Sequence, residues 1–217
     1  MLEKINQPGY ESLSKPCGEI LEIIKNKKKK KKSTSIAVAE IGIGIGATSS
    51  EIVKLLSEDD NYYMFSLDSD VAELETDIKG KDYCKTNIHA IGNTRKTYDS
   101  YGWSLLKLYN NDKKEMFDIV YLDAAHAYLH DGFTVCLLKK MIKKGGILIL
   151  DDIDWSFATS PTSNPQKKPA VKKWYTQEQI EACHVALIEE IFLKNDKDWK
   201  LIKDVSGKHR SAYKRIH

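Results

Sequence analysis

Three glycines at alternate positions constrain this chain more than any other feature. They sit in Glu40-Ile41-Gly42-Ile43-Gly44-Ile45-Gly46-Ala47-Thr48-Ser49. An apolar run from Ile36 to Ile41 leads into them and has the length of a buried strand. Beyond them Ile52, Val53, Leu55 and Leu56 share one side of a helical pattern. Strand, glycine turn and helix form half of a nucleotide-binding βαβ unit. Glycine suits such a turn because a ligand must approach the backbone where a Cβ would collide. The free N–H groups that open the helix can then receive an anionic group.

The motif alone leaves two readings open. Gly42, Gly44 and Ala47 also satisfy the G-x-G-x-x-G/A pattern of dinucleotide-binding folds. Both readings need an acid at the end of the next strand to hold a ribose, and Tyr63-Met64-Phe65-Ser66-Leu67-Asp68 supplies one in Asp68. Tyr109-x-x-x-Lys113 has the spacing used by short-chain dehydrogenases. The tyrosine is followed, however, by Asn110-Asn111-Asp112, which form turns more readily than helices.

The rest of the chain alternates strands with helices, which predicts an α/β fold with a parallel, doubly wound sheet. Residues 1–11 are polar and read as loosely held. Ser14-Lys15-Pro16 reads as a helix start, with Ile20, Leu21, Ile23 and Ile24 as the apolar face. Strands are expected at 62–67, 86–91, 117–122 and 147–150, and helices at 70–78, 98–108 and 132–144, the last capped by Gly145-Gly146. Cys136 falls on the apolar side of that last helix and reads as core. Residues 156–173, with Pro161, Pro165 and Pro169, form a loop too long for a connector. A helix from Thr176 to about Lys194 and two closing strands, 199–205 and 211–216, complete the chain. The whole reads as one domain, 1–217. It divides into an N-terminal helix with a lysine-rich loop (1–32), a cofactor-binding core (33–154), a substrate loop (155–175) and a C-terminal helix with closing strands (176–217).

Composition narrows the function classes. Hydrophobic residues at 41% and charged residues at 30% fit a soluble globular protein. No apolar run reaches the length of a membrane span, and Met1-Leu2-Glu3-Lys4 lacks signal-peptide character. Cys17, Cys84, Cys136 and Cys183 lie far apart, the pattern of reduced thiols in a cytoplasmic protein. Lys27 to Lys32 are consecutive lysines, read as a solvated loop or, more sharply, as an anion patch. The net charge is only +3, and three of 34 cationic residues are arginine, the better reader of phosphates and bases. Nucleic acid is therefore not an expected partner.

The ordered set is more informative than its parts. Glu40-x-Gly42-x-Gly44-x-Gly46, Asp68, Asp123 after a fourth strand and Gly145-Gly146 before a fifth resemble class I methyltransferases that use S-adenosylmethionine. Leu122-Asp123-Ala124-Ala125-His126-Ala127-Tyr128 and Ile149-Leu150-Asp151-Asp152 resemble the cation-dependent O-methyltransferase branch. That branch includes catechol O-methyltransferase and the macrocin-type sugar O-methyltransferases, the latter being the better match. The resemblance covers residues 36–154 and implies a single-domain Rossmann-like sheet, mostly parallel with an antiparallel last strand.

It also implies roles. Gly42, Gly44 and Gly46 would line the methionine part of the cofactor, with Glu40 and Thr48 bonding near it. Asp68 would accept the ribose hydroxyls, and Asn93 and Thr94 would lie beside the adenine. Asp123, which could instead turn toward the cofactor, would join Asp151 and Asp152 in holding a divalent cation, Mg2+ being expected. Three carboxylates so placed would repel one another unless something cationic sat among them. His126 would be the general base. The acceptor would be a hydroxyl on a small molecule, a sugar, glycoside or catechol. Trp155, Trp174 and Tyr175 are candidates to stack on it, and residues 156–173 to act as a mobile lid. An NAD(P)-dependent oxidoreductase and a non-catalytic cofactor-binding module are the alternatives, and assembly into a homo-oligomer is left open.

Overall fold

The computed structural model describes residues 1–30, 34–111 and 114–217. Lys31 and Lys32 of the lysine run, and Asp112 and Lys113 of the dehydrogenase-like segment, lie outside the described residues. Helix α1 (Gly18–Lys30) precedes β1 (Ala37–Ile41), α2 (Ala47–Leu55), β2 (Asn61–Leu67), α3 (Asp68–Lys79), β3 (Asn87–Asn93) and α4 (Tyr101–Asn110). Then come β4 (Phe117–Leu122), α5 (Tyr128–Met141), β5 (Ile142–Leu150), the short helices α6 (Val171–Trp174), α7 (Gln177–Glu181) and α8 (His184–Glu189), a π-helical turn (Glu190–Lys194), β6 (Trp199–Leu201) and β7 (Ser211–Arg215).

The strands form a seven-stranded sheet in the order β3-β2-β1-β4-β5-β7-β6. β1 to β5 run parallel, and β7 is antiparallel to both of its neighbours. This is the Rossmann-like architecture expected from the sequence. The central strands are apolar on both faces because helices cover both. Val38, Met64, Ile119 and Ile149 pack under α1, α2 and α3. Ala39, Ile41, Phe65, Val120 and Leu148 pack under α4, α5 and α8.

Several boundaries differ from the sequence expectation for identifiable reasons. Residues 1–11 are not loose: Met1 is buried, and its amino group pairs with Glu3, Glu73 and Asp77 at 2.5–2.8 Å. The lysine run up to Lys30 is helix, not loop. Lys27 reaches Asp118, and Lys28 pairs with Asp60. Gly145-Gly146 does not cap α5. That helix stops at Met141, and β5 starts at once, with an irregular register against β4 around Gly145, whose φ is +76°. Cys136 is half-buried rather than core.

The helix expected from Thr176 to Lys194 breaks at Ala182, where the backbone turns extended. The His184 ring fills the break. Its Nε2 lies 2.8 Å from the Gln179 carbonyl, and its Nδ1 accepts from the Tyr128 N–H at 3.3 Å.

Candidate active site

The carboxyl ends of β1 to β5 form one rim, the place where open parallel sheets bind ligands. At its centre the glycine turn leaves β1 with Gly42 at φ +85°, Gly44 at +50° and Gly46 at +86°. The three are not interchangeable. A Cβ on Gly42 would lie 1.8 Å from the Asp123 carbonyl oxygen, so this glycine lets β1 cross closely behind the end of β4. A Cβ on Gly44 would meet nothing within 4 Å. Gly44 is the one of the three that faces open space, and its left-handed φ is what makes a side chain costly there. Gly46 forms the N-cap of α2, whose first turn has no side-chain cap.

Glu40 is turned beneath this turn rather than into the cleft. It is 1% exposed and accepts hydrogen bonds from Ser49 Oγ at 2.6 Å and from the Tyr62 hydroxyl. Burial, against the pull of those two bonds, pushes its carboxyl up to about 7. Thr48 Oγ1 accepts from the Cys17 N–H at 3.0 Å and so ties the segment before α1 to the start of α2.

On the β2–β3 side Asp68 is exposed at the start of α3. It borders a cavity of about 730 Å³ with Gly92, Asn93, Thr94, Asp99 and Trp103. Gly92 is required here, because a Cβ would lie 2.0 Å from Asp68 Oδ1. The loop after β3 is shaped by Asp99, which accepts from the Thr94 N–H at 2.7 Å. Asp68, Asn93 and Thr94 thus share one hollow.

On the other side β4 and β5 are neighbours, and Leu122 pairs with Leu150. Their ends bring Asp123, Asp151 and Asp152 together, but not as three equal ligands. Asp123 Oδ1 and Asp152 Oδ2 lie 3.7 and 3.5 Å from His126 Nε2. Ligand atoms of these three residues fall within 4.8 Å of one another. Asp151 is engaged elsewhere. Its Oδ1 lies 2.9 Å from Arg210 Nε, and its Oδ2 accepts from the Tyr121 hydroxyl.

Burial first, then the charges of Asp151 and Asp152, push the Asp123 carboxyl well above its ordinary range. Burial does the same to Asp152, with His126 opposing it. Both His126 (φ +50°) and Asp152 (φ +55°) hold the left-handed backbone that costs a non-glycine residue free energy. Two carboxylates and an imidazole, partly open to solvent and short of positive charge, could hold a divalent cation with positions left over for water or an acceptor.

Trp155 closes the outer side, its ring 5.2 Å from that of His126. It continues into Phe157 at 4.9 Å, and Phe157 meets Tyr175 at 4.5 Å. The long loop is packed by its own small core of Phe157, Val171 and Ile180, on which Trp155 and Tyr175 rest. Trp174 points away, 72% exposed.

A family profile described as a methyltransferase domain matches residues 39–153, just over half of the 217-residue chain. The chain belongs to this methyltransferase family. No curated protein sequence matches it. Among solved structures, the methyltransferase is similar to the O-methyltransferase TomG of Streptomyces achromogenes, involved in tomaymycin synthesis and solved in complex with SAM. The two are 14% identical with a TM-score of 0.59, over 100% of this chain and 89% of that one. An O-methyltransferase from Bacillus cereus, in complex with SAH, is 13% identical with a TM-score of 0.57, over 100% and 90%. A methyltransferase from Geobacter sulfurreducens is 12% identical with a TM-score of 0.52, over 91% and 78%. At these identities the likeness establishes the fold.

Four site residues escaped the sequence reading: Ser49, Tyr62, Tyr121 and Arg210. Tyr121 carried a signal, since the two-residue strand period sets it on the same side as Asp123. Arg210 carried almost none, because it lies 59 residues beyond Asp151, in the stretch between the two expected closing strands.

Proposed function

We propose that this methyltransferase is an S-adenosylmethionine-dependent O-methyltransferase. It moves the methyl group to a hydroxyl of a small acceptor, a sugar or glycoside, with help from a divalent cation, Mg2+. The observation that carries the reading is one rim shared by two half-sites: an open glycine turn beside the Asp68 hollow, and Asp123, His126 and Asp152 across from it. In this reading the hollow takes the adenosine, with Asp68 accepting the ribose hydroxyls and Asn93 and Thr94 beside the base. The uncapped start of α2 and the backbone at Gly44 take the methionine carboxylate.

Asp123 and Asp152 hold the cation, which when bound makes the acceptor hydroxyl more acidic. His126 Nε2 receives the hydroxyl proton. Trp155 offers a ring face to the acceptor, and residues 156–173 act as the lid that keeps water from the transfer. Methyl transfer from a sulfonium is an in-line displacement, so positioning of the oxygen by these groups is the main requirement.

The distances favour a second role for His126, as the third cation ligand, because its Nε2 is close to both carboxylates. The test is labelled S-adenosylmethionine with a panel of sugars and catechols, with and without Mg2+, for wild type and His126→Ala. A base gives a turnover loss of roughly 10²-fold or more with cation affinity intact. A ligand gives a parallel loss of cation affinity. Full activity in EDTA removes the cation from the mechanism, and no transfer to any hydroxyl refutes the proposal.

A further inference from the structure

The three acids at the ends of β4 and β5 call for a cation, and the fold already supplies one. Leu150 pairs with Ser211 in the antiparallel β5–β7 ladder. The next step of that register sets Arg210 across from Asp151, so the sheet itself delivers the guanidinium. Arg210 Nε lies 2.9 Å from Asp151 Oδ1, and Nη1 lies 3.3 and 3.4 Å from the two carboxylate oxygens of Glu19 on α1. Asp151 Oδ1 also accepts from the Asp152 N–H at 2.8 Å. The Tyr121 hydroxyl sits between the two acids, donating to Asp151 Oδ2 and 3.1 Å from Asp123 Oδ2. Asp151 is 5% exposed in its side chain, whereas Asp123 and Asp152 are 38% and 41% exposed.

We propose that Arg210 is the resident counter-cation of Asp151, and that it withholds Asp151 from the metal, leaving Asp123 and Asp152 as the carboxylates that hold it. The inference rests on the cation reading above. An oxygen that ligates a metal must turn a free lone pair toward it, and three of the four on Asp151 already face the Asp152 N–H, the Arg210 guanidinium and the Tyr121 hydroxyl. Arginine stays charged throughout the working pH range, so base does not release the pair. A divalent ion drawn to Asp151 would also have to approach the guanidinium, and like charges repel at that range. Arg210 is therefore a positioning residue: it sets how many acids the cation finds.

The test is Mn2+ binding to the full chain, read by electron paramagnetic resonance and calorimetry, with circular dichroism to confirm folding. Arg210→Met frees Asp151, and Mn2+ should bind at least about tenfold tighter, the scale on which groups around a metal change affinity. Arg210→Lys keeps the charge and should bind Mn2+ as wild type does. Asp151→Asn is the variant least at risk of misfolding. It should change Mn2+ affinity less than about threefold, whereas Asp152→Asn should lose roughly 10–100-fold.

If Asp151→Asn loses as much as Asp152→Asn, Asp151 is a ligand and the inference is overturned while the cation reading stands. Unchanged or weaker binding by folded Arg210→Met also overturns it. Binding by Arg210→Met alone would uphold the inference and refute the cation reading for the natural chain. Binding by none of these proteins refutes both.

Discussion

The two ends of the sheet carry acids with opposite electrostatics. At the amino ends of β2 and β4, Asp60 and Asp118 are 0% and 1% exposed. Asp60 accepts from the Ile36 N–H at 2.9 Å, from Ser57 through N–H and hydroxyl, and from Lys28. Asp118 accepts from the Ala37 N–H at 3.1 Å and Lys143 Nζ at 2.6 Å, with Lys27 Nζ at 3.3 Å from its other oxygen. Burial works against both charges, yet these partners outweigh it and hold both carboxyls below their ordinary range. At the carboxyl ends, Glu40, Asp123 and Asp152 are pushed up instead. Burial alone does not decide the direction; the supply of donors and cations does. The amino-end pair pins the start of β1 to its neighbours. The carboxyl-end group has fewer donors and cations for its charge.

The largest effect should come from breaking the saturated end. Asp118→Ala removes one partner of a buried charge cluster and leaves Lys143 and the Ala37 N–H facing a void. It should cost about 3–5 kcal/mol in urea unfolding. Asp152→Ala at the crowded end should cost under ~1 kcal/mol, because it relieves repulsion as it removes contacts. Equal costs at the two ends would end the comparison.

The contrast also explains what the sequence could and could not tell. Strand positions, helix faces and the rim positions of Asp68, Asn93, Asp123 and Asp152 follow from hydrophobic periods and from the rule that loops at strand ends carry ligands. These depend on short stretches of chain. What was missed depends on distant pairings. Lys28 meets Asp60, and Arg210 meets Asp151, only once the sheet has closed. A run of lysines has no local sign of which members point inward, so it read as solvated loop. The glycines show the same limit: the pattern announced a turn, but only the crossing of Gly42 over the Asp123 carbonyl shows that this glycine is there for packing. The break in the C-terminal helix was equally hidden, because it depends on His184 finding the Tyr128 N–H across the fold.

A smaller effect separates the two ends by pH. Glu40 ionises at about 7 in the folded protein against an ordinary 4.5. A carboxyl raised by folding contributes its full stability below the ordinary value, and the contribution is lost as pH rises to the folded one. Wild type should therefore lose about 3 kcal/mol relative to Glu40→Gln between pH 4.5 and 7, at about 1.36 kcal/mol for each pH step between the two values. Asp60 and Asp118, whose carboxyls are lowered, work in the opposite sense: their contribution is present above the ordinary aspartate value and is lost on acidification. Paired unfolding curves across this range would show it, and a Glu40→Gln profile parallel to wild type would refute the assignment.

The smallest effects lie within the lysine run and sharpen the comparison residue by residue. Lys28 is half-buried and reaches both Asp60 and Ser57 Oγ, whereas Lys29 and Lys30, at the end of α1, are exposed. Lys28→Met leaves Asp60 buried with its backbone and Ser57 donors but without its cation. The cost should be roughly 1–3 kcal/mol. Lys27→Met should cost less than Lys28→Met, because Lys143 still serves Asp118. Lys29→Gln and Lys30→Gln remove only a favourable charge near the helix C-terminus, worth about 0.3–1 kcal/mol at low salt and less when screened. If the run were instead an anion patch belonging to the site, the exposed lysines would matter most for turnover and the inward pair least for stability. Thermal unfolding and activity of the four single variants, measured together at low and high salt, decide between these two orders.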